Sequence, residues 1–317
     1  MGGGDAADVT PRLPIALTIA GSDSGGGAGI QADIKTFAAL GVYGASVVTA
    51  LTAQNTLTVR RIHFPSPEMV ADQIDLALED FNVGAIKIGM LGMAAFVEVA
   101  AERLASFSGK SAGDGGSRDR RARRSDSHSP DAFRAYLSER EGRAARSTAT
   151  RPFIVYDPVM TASTGHPLSG ASFVETVRVS LLPLVDCLTP NLAEAAALLG
   201  EKVAGSEDDM VRQGVALLKL GPRAVLMKGG HLDGGEAVDF LATAEVVRRY
   251  AAPRIASRNL HGTGCTLSSA IAAHVVLGIA LPGAVAAAKA FVGEAIERAR
   301  EVELGTGDGP LIQAKLR

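Results

Sequence analysis

IALTIAGSDSGGGAGIQADIKTF, residues 15–37, decides the fold: an apolar run of strand length, a turn crowded with glycine, and an amphipathic helix. Ile15 to Ala20 reads as the strand, and apolar positions from Gly29 to Leu40 recur with helical spacing. The same alternation continues outward. Strands are expected at 45–51, 85–89, 153–156, 187–188 and 224–228, with helices at 68–78, 94–105, 170–181, 192–199 and 208–220. Short strands separated by helices of about 10–15 residues form βαβ units, whose parallel sheet must be covered on both faces. The expected class is α/β, with ligands gathering at the carboxyl ends of the strands.

The bulk properties fit that class. At 317 residues, with 47% hydrophobic residues and a formal net charge of −2, the chain can bury a large core and exerts no overall pull on polyanions. Small-molecule partners are expected, and neither nucleic acid nor membrane. Cys187 and Cys265 are the only cysteines, too few for a disulfide framework, which points to a reducing, cytoplasmic location. Residues 1–13 read as a disordered tail ahead of a single domain, 14–317. Residues 106–150 interrupt that domain with ten Lys/Arg against six Asp/Glu and few large apolar residues, a composition expected of a basic, low-complexity surface insertion. A solvated loop explains its RDRRARR run more economically than a nucleic-acid patch.

Chemistry concentrates in the loops after the strands. NLHGTGCTLSS, residues 259–269, places Gly262 and Gly264 where the backbone can turn its N–H groups one way, and a helix follows. That is a seat for an anion. Cys265 stands at the helix mouth, where a thiol is expected to lose its proton more easily. In the first glycine-rich turn, Asp23 and Asp33 offer acceptors, but the spacing is neither a dinucleotide fingerprint nor a P-loop. Gln54 and Asn55 follow a strand; an amide there suits the edge of a nitrogen heterocycle, and turn-capping by Asn55 is the structural alternative. Met90, at the end of IKIGM, is a candidate to lie against a planar ring. Asp157, fixed by Pro158, points out of the sheet towards a magnesium shell or a phosphate-bound water. Asn191 and Glu194 bracket a helix start and read either as a capping box or as part of that shell. Lys228, before two glycines, brings a cation for a phosphoryl group. The set fits phosphoryl transfer better than hydride transfer or hydrolysis.

These residues resemble a known family. AGSDSGGGAGIQADIKTF, ALTAQNT, KIGML, DPVM, LTPNLAEAAAL, MKGGH and HGTGC occur in the order and approximate spacing of the hydroxymethylpyrimidine and phosphomethylpyrimidine kinases of thiamine biosynthesis, ribokinase-like enzymes. The resemblance covers nearly everything from Ile15 to about Leu311 except the insertion. It implies a three-layer α/β/α fold with a mostly parallel central sheet. It also implies phosphorylation of 4-amino-5-hydroxymethyl-2-methylpyrimidine by ATP with magnesium, then of the monophosphate to the diphosphate. Gly21, Asp33, Gln54, Met90 and Val159 would hold the pyrimidine. Gly262, Thr263, Gly264 and Cys265 would form the anion hole, with Cys265 where related sugar kinases carry an aspartate base. Lys228 would neutralise the transferring phosphoryl group. Asn191 would serve the nucleotide side, and Asp157 and Glu194 would hold magnesium through water. A homodimer is expected, and the family leaves open a role for potassium. Leu260 departs from the Thr common at that position, which leaves the anion hole intact. The nearest rival activity is a pyridoxal kinase, whose acceptor is also a hydroxymethyl-bearing nitrogen ring. A non-catalytic pyrimidine-binding regulator would be expected to lack Asp157, Lys228 or the GTGC turn, and all are present.

Overall fold

The computed structural model describes residues 13–108, 151–160, 171–230, 232 and 234–314. Its first unit folds as read, with β1 (Ile15–Gly21) running through the glycine turn into α1 (Gly29–Ala39). Gly29 has a φ of +55°, and a Cβ there would collide with the Gly21 carbonyl oxygen. Glycine lets the helix begin directly against the strand that precedes it.

Among the described residues there is one nine-stranded sheet, in the order β3-β2-β1-β4-β5-β6-β7-β8-β9. β2 (Tyr43–Gln54), β4 (Ala85–Ile88), β5 (Phe153–Tyr156), β6 (Cys187–Leu188) and β7 (Ala224–Lys228) join β1 in a parallel centre. β3 (Val59–His63) at one edge and β8 (Glu236–Thr243) and β9 (Val247–Pro253) at the other are antiparallel.

Strand alternation assigns two cores. Leu17, Ile19, Ile86 and Ile88 face the helices α2 (Pro67–Asp80), α3 (Ala94–Ser108), α4 (Ala171–Thr176), α5 (Leu192–Leu199) and α6 (Glu207–Leu218). Ala16, Ala85 and Val155 face α1, α7 (Thr263–Val276) and α8 (Leu281–Ala299). Full burial of a side chain such as Ile74 or Phe96 stabilises by about 1.5–3 kcal/mol, so each layer is held by its apolar face. The three-layer α/β/α architecture with a mostly parallel sheet is the one expected.

The differences have local causes. β2 continues to Gln54 because β3 pairs with its last residues. The helix expected at 170–181 is α-helical only to Thr176; it then widens into a π-turn at Val177–Leu181 and ends in a 3₁₀ turn containing Pro183, which has no N–H to continue it. α3 runs to Ser108, three residues into the stretch assigned to the insertion. The rest of that stretch, 109–150, and the tail apart from Leu13 lie outside the described residues. Arg151 precedes β5 at the amino edge of the sheet, opposite the strand ends considered next.

Candidate active site

The carboxyl ends of six neighbouring strands open on one cavity of about 270 Å³. Gly21, Gln54, Met90, Asp157, Asn191 and Lys228 each reach its wall from a different strand, as the fold requires. Val159, Glu194, Gly262, Gly264 and Cys265 also line it. The structure therefore brings together the predicted set apart from Asp33 and Thr263.

One wall is charged. Lys228 Nζ lies 2.6 Å from Asp157 Oδ1 and 4.0 Å from Glu194 Oε2. Asp157 is nearly closed to solvent, and apart from Lys228 its hydrogen-bonding neighbour is the Thr189 hydroxyl at 3.4 Å. Asn191 and Glu194 form the capping box of α5: Asn191 Oδ1 accepts from the Glu194 N–H at 2.9 Å, and Glu194 Oε2 from the Asn191 N–H at 2.8 Å. The structural reading of this pair is thus realised, and it brings the Glu194 carboxyl to the cavity. Burial pushes that carboxyl up to about 7; the Lys228 charge pulls it down and the Asp157 charge pushes it further up. Lys228 is held above the ordinary lysine value, because its two carboxylate neighbours outweigh its burial.

The turn before α7 supplies the anion seat. Gly262 has a φ of +84°, and a Cβ on it would strike the Gly27 carbonyl oxygen, so this turn packs directly on the first glycine-rich loop. Gly264 abuts the ion pair: a Cβ there would stand 3.2 Å from Lys228 Nζ and 3.4 Å from Asp157 Oδ2. As residues of the first turn of α7, Gly264 and Cys265 have N–H groups without a carbonyl one turn behind them. Thr263 turns its hydroxyl away, to the Leu260 carbonyl at 2.6 Å.

Cys265 departs from expectation. Burial pushes its thiol up to about 11; Lys87 pulls it down, Asp33 and Asp157 push it up, and an N–H bond from Gly29 pulls down again. The helix mouth does not make this thiol acidic, because desolvation exceeds the favourable fields around it.

Asp33, expected at the pyrimidine, lies below the cavity floor. It is fully buried, and its oxygens accept from Lys87 Nζ at 2.9 Å each, from the Thr18 hydroxyl at 2.6 Å and from the Ser269 hydroxyl at 2.7 Å. Lys87, not Asp33, is in the cavity wall. Burial alone would lower the Lys87 pKa, but the Asp33 charge holds it above the ordinary value. Asp23 is also absorbed locally: its carboxylate accepts from the N–H groups of Gly25, Gly27 and Ala28 and lies 3.0 Å from His261 Nε2. Burial opposes ionisation of Asp23, yet the bonds from His261, Ala28 and Gly25 hold it below the usual carboxylate range. Asn55 caps its own turn, accepting from the N–H groups of Leu57 and Thr58.

The other wall is apolar with an amide. Met90 lays its terminal methyl over Gly21, where a Cβ would meet it at 2.5 Å, and Gln54 Nε2 lies 3.5 Å from His261 Nε2. Lys87 and His261 are wall residues that the motif reading quoted without assigning them. The available signal for Lys87 was a charge inside an apolar strand run, AIKI.

A sequence profile described as phosphomethylpyrimidine kinase matches residues 23–112 and 143–312. A hydroxymethylpyrimidine/phosphomethylpyrimidine kinase from Rhizobium meliloti is 44% identical over 297 residues, covering 94% of this chain and 96% of that protein. A chloroplastic thiamine biosynthetic bifunctional enzyme from Arabidopsis thaliana is 38% identical over 301 residues, covering 94% of this chain and 50% of that enzyme. Among solved structures, the pyridoxal kinase from Staphylococcus aureus in complex with AMP-PCP and pyridoxal superposes with a TM-score of 0.74 at 28% identity, covering 96% of this chain and 94% of that one.

Proposed function

Because the chain belongs to the phosphomethylpyrimidine kinase family, we propose that this cavity passes the γ-phosphoryl group of ATP to two acceptors in turn. The first is the hydroxymethyl oxygen of 4-amino-5-hydroxymethyl-2-methylpyrimidine, and the second is the phosphate of the monophosphate so formed. Both steps serve thiamine biosynthesis. The observation that carries this reading is that the Lys228–Asp157 pair occupies the space next to Gly264 where a side chain would stand, which brings a cation, a carboxylate and an anion-binding turn together.

In this reading the N–H groups of Gly264 and Cys265 seat the γ-phosphoryl oxygens, and Lys228 turns from Asp157 to meet them. A bond forms from the acceptor oxygen to the γ-phosphorus as the bond to the β–γ bridging oxygen breaks, and ADP leaves. The alcohol gives up its proton to water; the ionised monophosphate has none to lose. A loose transition state needs positioning and charge more than a base. Gly21, Gln54, Met90 and Val159 would hold the pyrimidine, while Asp33 would act from below through Lys87.

Two carboxylates face one ammonium at Asp157, Glu194 and Lys228, an excess of negative charge that fits a magnesium ion held through water. Magnesium bound there supplies charge neutralisation for the polyphosphate. Potassium dependence is read from the same assay with the cation exchanged. No helix among the described residues is long and apolar enough to cross a membrane. A cytoplasmic location and a homodimer joined through the exposed Leu51 and Leu57 of the β2–β3 region complete the proposal.

Mass spectrometry of a reaction of the pyrimidine alcohol, ATP and magnesium should find both mono- and diphosphate. Absence of both products would overturn the reading. The likeness to a pyridoxal kinase fold at 28% identity favours testing pyridoxal as a second acceptor, and a coupled assay compares the two.

A further inference from the structure

The second phosphorylation poses an electrostatic difficulty. Its acceptor carries a phosphate, yet Asp157, Glu194 and Asp33 already place three carboxyl groups around or beneath the cavity. Lys228 is taken up at the donor side by Asp157. The anionic acceptor therefore needs a further positive field, and the wall of the cavity holds an unassigned buried cation.

Lys87 is the penultimate residue of β4, between two isoleucines whose side chains enter the α2–α6 core. Alternation sends Lys87 to the α1–α7 face, where Asp33 of α1 and Ser269 of α7 meet it. Gly89 makes room for the ammonium: a Cβ there would stand 2.8 Å from Lys87 Nζ. Two hydrogen bonds bind the ammonium to the two Asp33 oxygens, which also take Thr18 and Ser269, so the carboxylate is held from several sides. Lys87 belongs to the cavity wall and Asp33 does not, so the pair is a dipole with its positive end at the floor beside Cys265. The fields at Cys265 agree with that orientation, since the pull of Lys87 exceeds the push of Asp33.

We propose that Lys87, oriented by Asp33, is a positioning residue that sets acceptor specificity: the buried dipole makes the cavity floor receptive to an anionic acceptor and so supports the second phosphorylation more than the first. Lys87 is closed to solvent and acts by its field through the floor, not by contact. A single charge a few ångströms away in a partly desolvated site is strong enough to shift a ratio of rates about tenfold even though Asp33 offsets part of its field. The inference rests on the kinase reading above, although one of its tests does not need turnover.

The ratio of kcat/KM for the monophosphate to that for the alcohol is measured in two variants of the full chain. In Lys87→Met/Asp33→Asn the dipole is removed without leaving a buried charge unpaired, and the ratio should fall about tenfold. In Asp33→Asn alone the amide can keep its hydroxyl partners while the ammonium loses its counter-charge, and the ratio should rise at the acid end of the activity range and fall again with rising pH as burial takes the Lys87 proton. A structural role would move both variants in the same direction or leave the ratio alone, and either result overturns the proposal. Should the double variant not fold, the sign of the change in Asp33→Asn at the acid end decides by itself. Should the wild type phosphorylate neither acceptor, the kinase reading fails and alkylation of Cys265 decides about the floor: its rate with iodoacetamide should drop several-fold in the double variant. An unchanged rate would sink the proposal. Cys187 is fully buried, its thiol pushed up to about 12 by burial and Asp186, and serves as the unreactive control.

Discussion

Two lysine–carboxylate pairs border one cavity and differ in how completely they are satisfied. Asp33 accepts from Lys87 twice and from two hydroxyls, all fully buried. Asp157 accepts from Lys228 and, at 3.4 Å, from Thr189, and the Lys228 side chain keeps 14% exposure. The first pair has no bond it can give up cheaply. The second can exchange partners, since Lys228 already stands between Asp157, Glu194 and the mouth of α7. Saturation thus separates a charge that shapes the site from one that is free to meet a ligand, although both are lysines at strand ends beside an aspartate.

The largest effects should fall on opposite quantities in the two pairs. Lys87→Met leaves Asp33 as a buried carboxylate with only hydroxyl donors, and urea unfolding should show a loss of about 3–5 kcal/mol. Lys228→Ala opens a path for water to the Asp157 carboxylate, so its stability loss should be smaller than that of Lys87→Met, while kcat falls about 10²-fold, as for a lost oxyanion donor. Equal stability losses in the two variants would break the comparison, as would a Lys228→Ala enzyme that keeps its kcat.

The same contrast explains what could be read in the chain. βα units announced themselves through apolar runs followed by turns, because a parallel strand is buried on both faces, and the turn after β1 needs Gly29. The edge strands gave no such signal: β9 is VRRYAAP, mostly exposed, and its place comes from pairing with β8. α8 begins without a side-chain cap, so Pro282 in its first turn is the local mark of its start, and Gly283 beside it weakens the helical pattern. In the site, Asp157 and Lys228 were legible because each stands at the end of a strand, and the GTGC turn because its glycines open a helix. The burial of Asp33 was not, since its partner Lys87 lies 54 positions away, and nothing local tells a ligand-facing carboxylate from one neutralised by a distant residue.

A smaller effect tests the unsaturated wall by pH. Burial raises the Glu194 carboxyl to about 7 from an ordinary 4.5. Below pH 4.5 both folded and unfolded chains hold the proton; between 4.5 and 7 the folded chain keeps one that the unfolded chain has released. The stability that proton confers is therefore complete below pH 4.5 and is lost as pH rises through 7, with a slope on the order of 1 kcal/mol per unit. Glu194→Gln should flatten that slope in thermal unfolding, without magnesium, between pH 5 and 7. An unchanged stability slope in the variant would mean that Glu194 titrates near its ordinary value and that this wall is as saturated as the floor.

The smallest effect is expected at the residue that lies between the two pairs. With its thiol pushed up to about 11, Cys265 is a thiolate in fewer than about one molecule in a thousand at pH 7.5. A group so rarely ionised makes a poor general base, and the backbone N–H of residue 265 survives replacement of its side chain. Cys265→Ala should therefore keep kcat within about tenfold of wild type for the alcohol, and closer still for the monophosphate, whose attacking oxygen is already ionised. Steady-state rates with both acceptors, taken with Lys228→Ala alongside, make the measurement. If the cysteine variant fell as far as the lysine variant on both acceptors, the thiol would be doing more than its burial allows. If it fell that far on the alcohol alone, proton removal would limit the first step, and the floor dipole of Lys87 and Asp33 would have to be weighed as the field that sustains the thiolate.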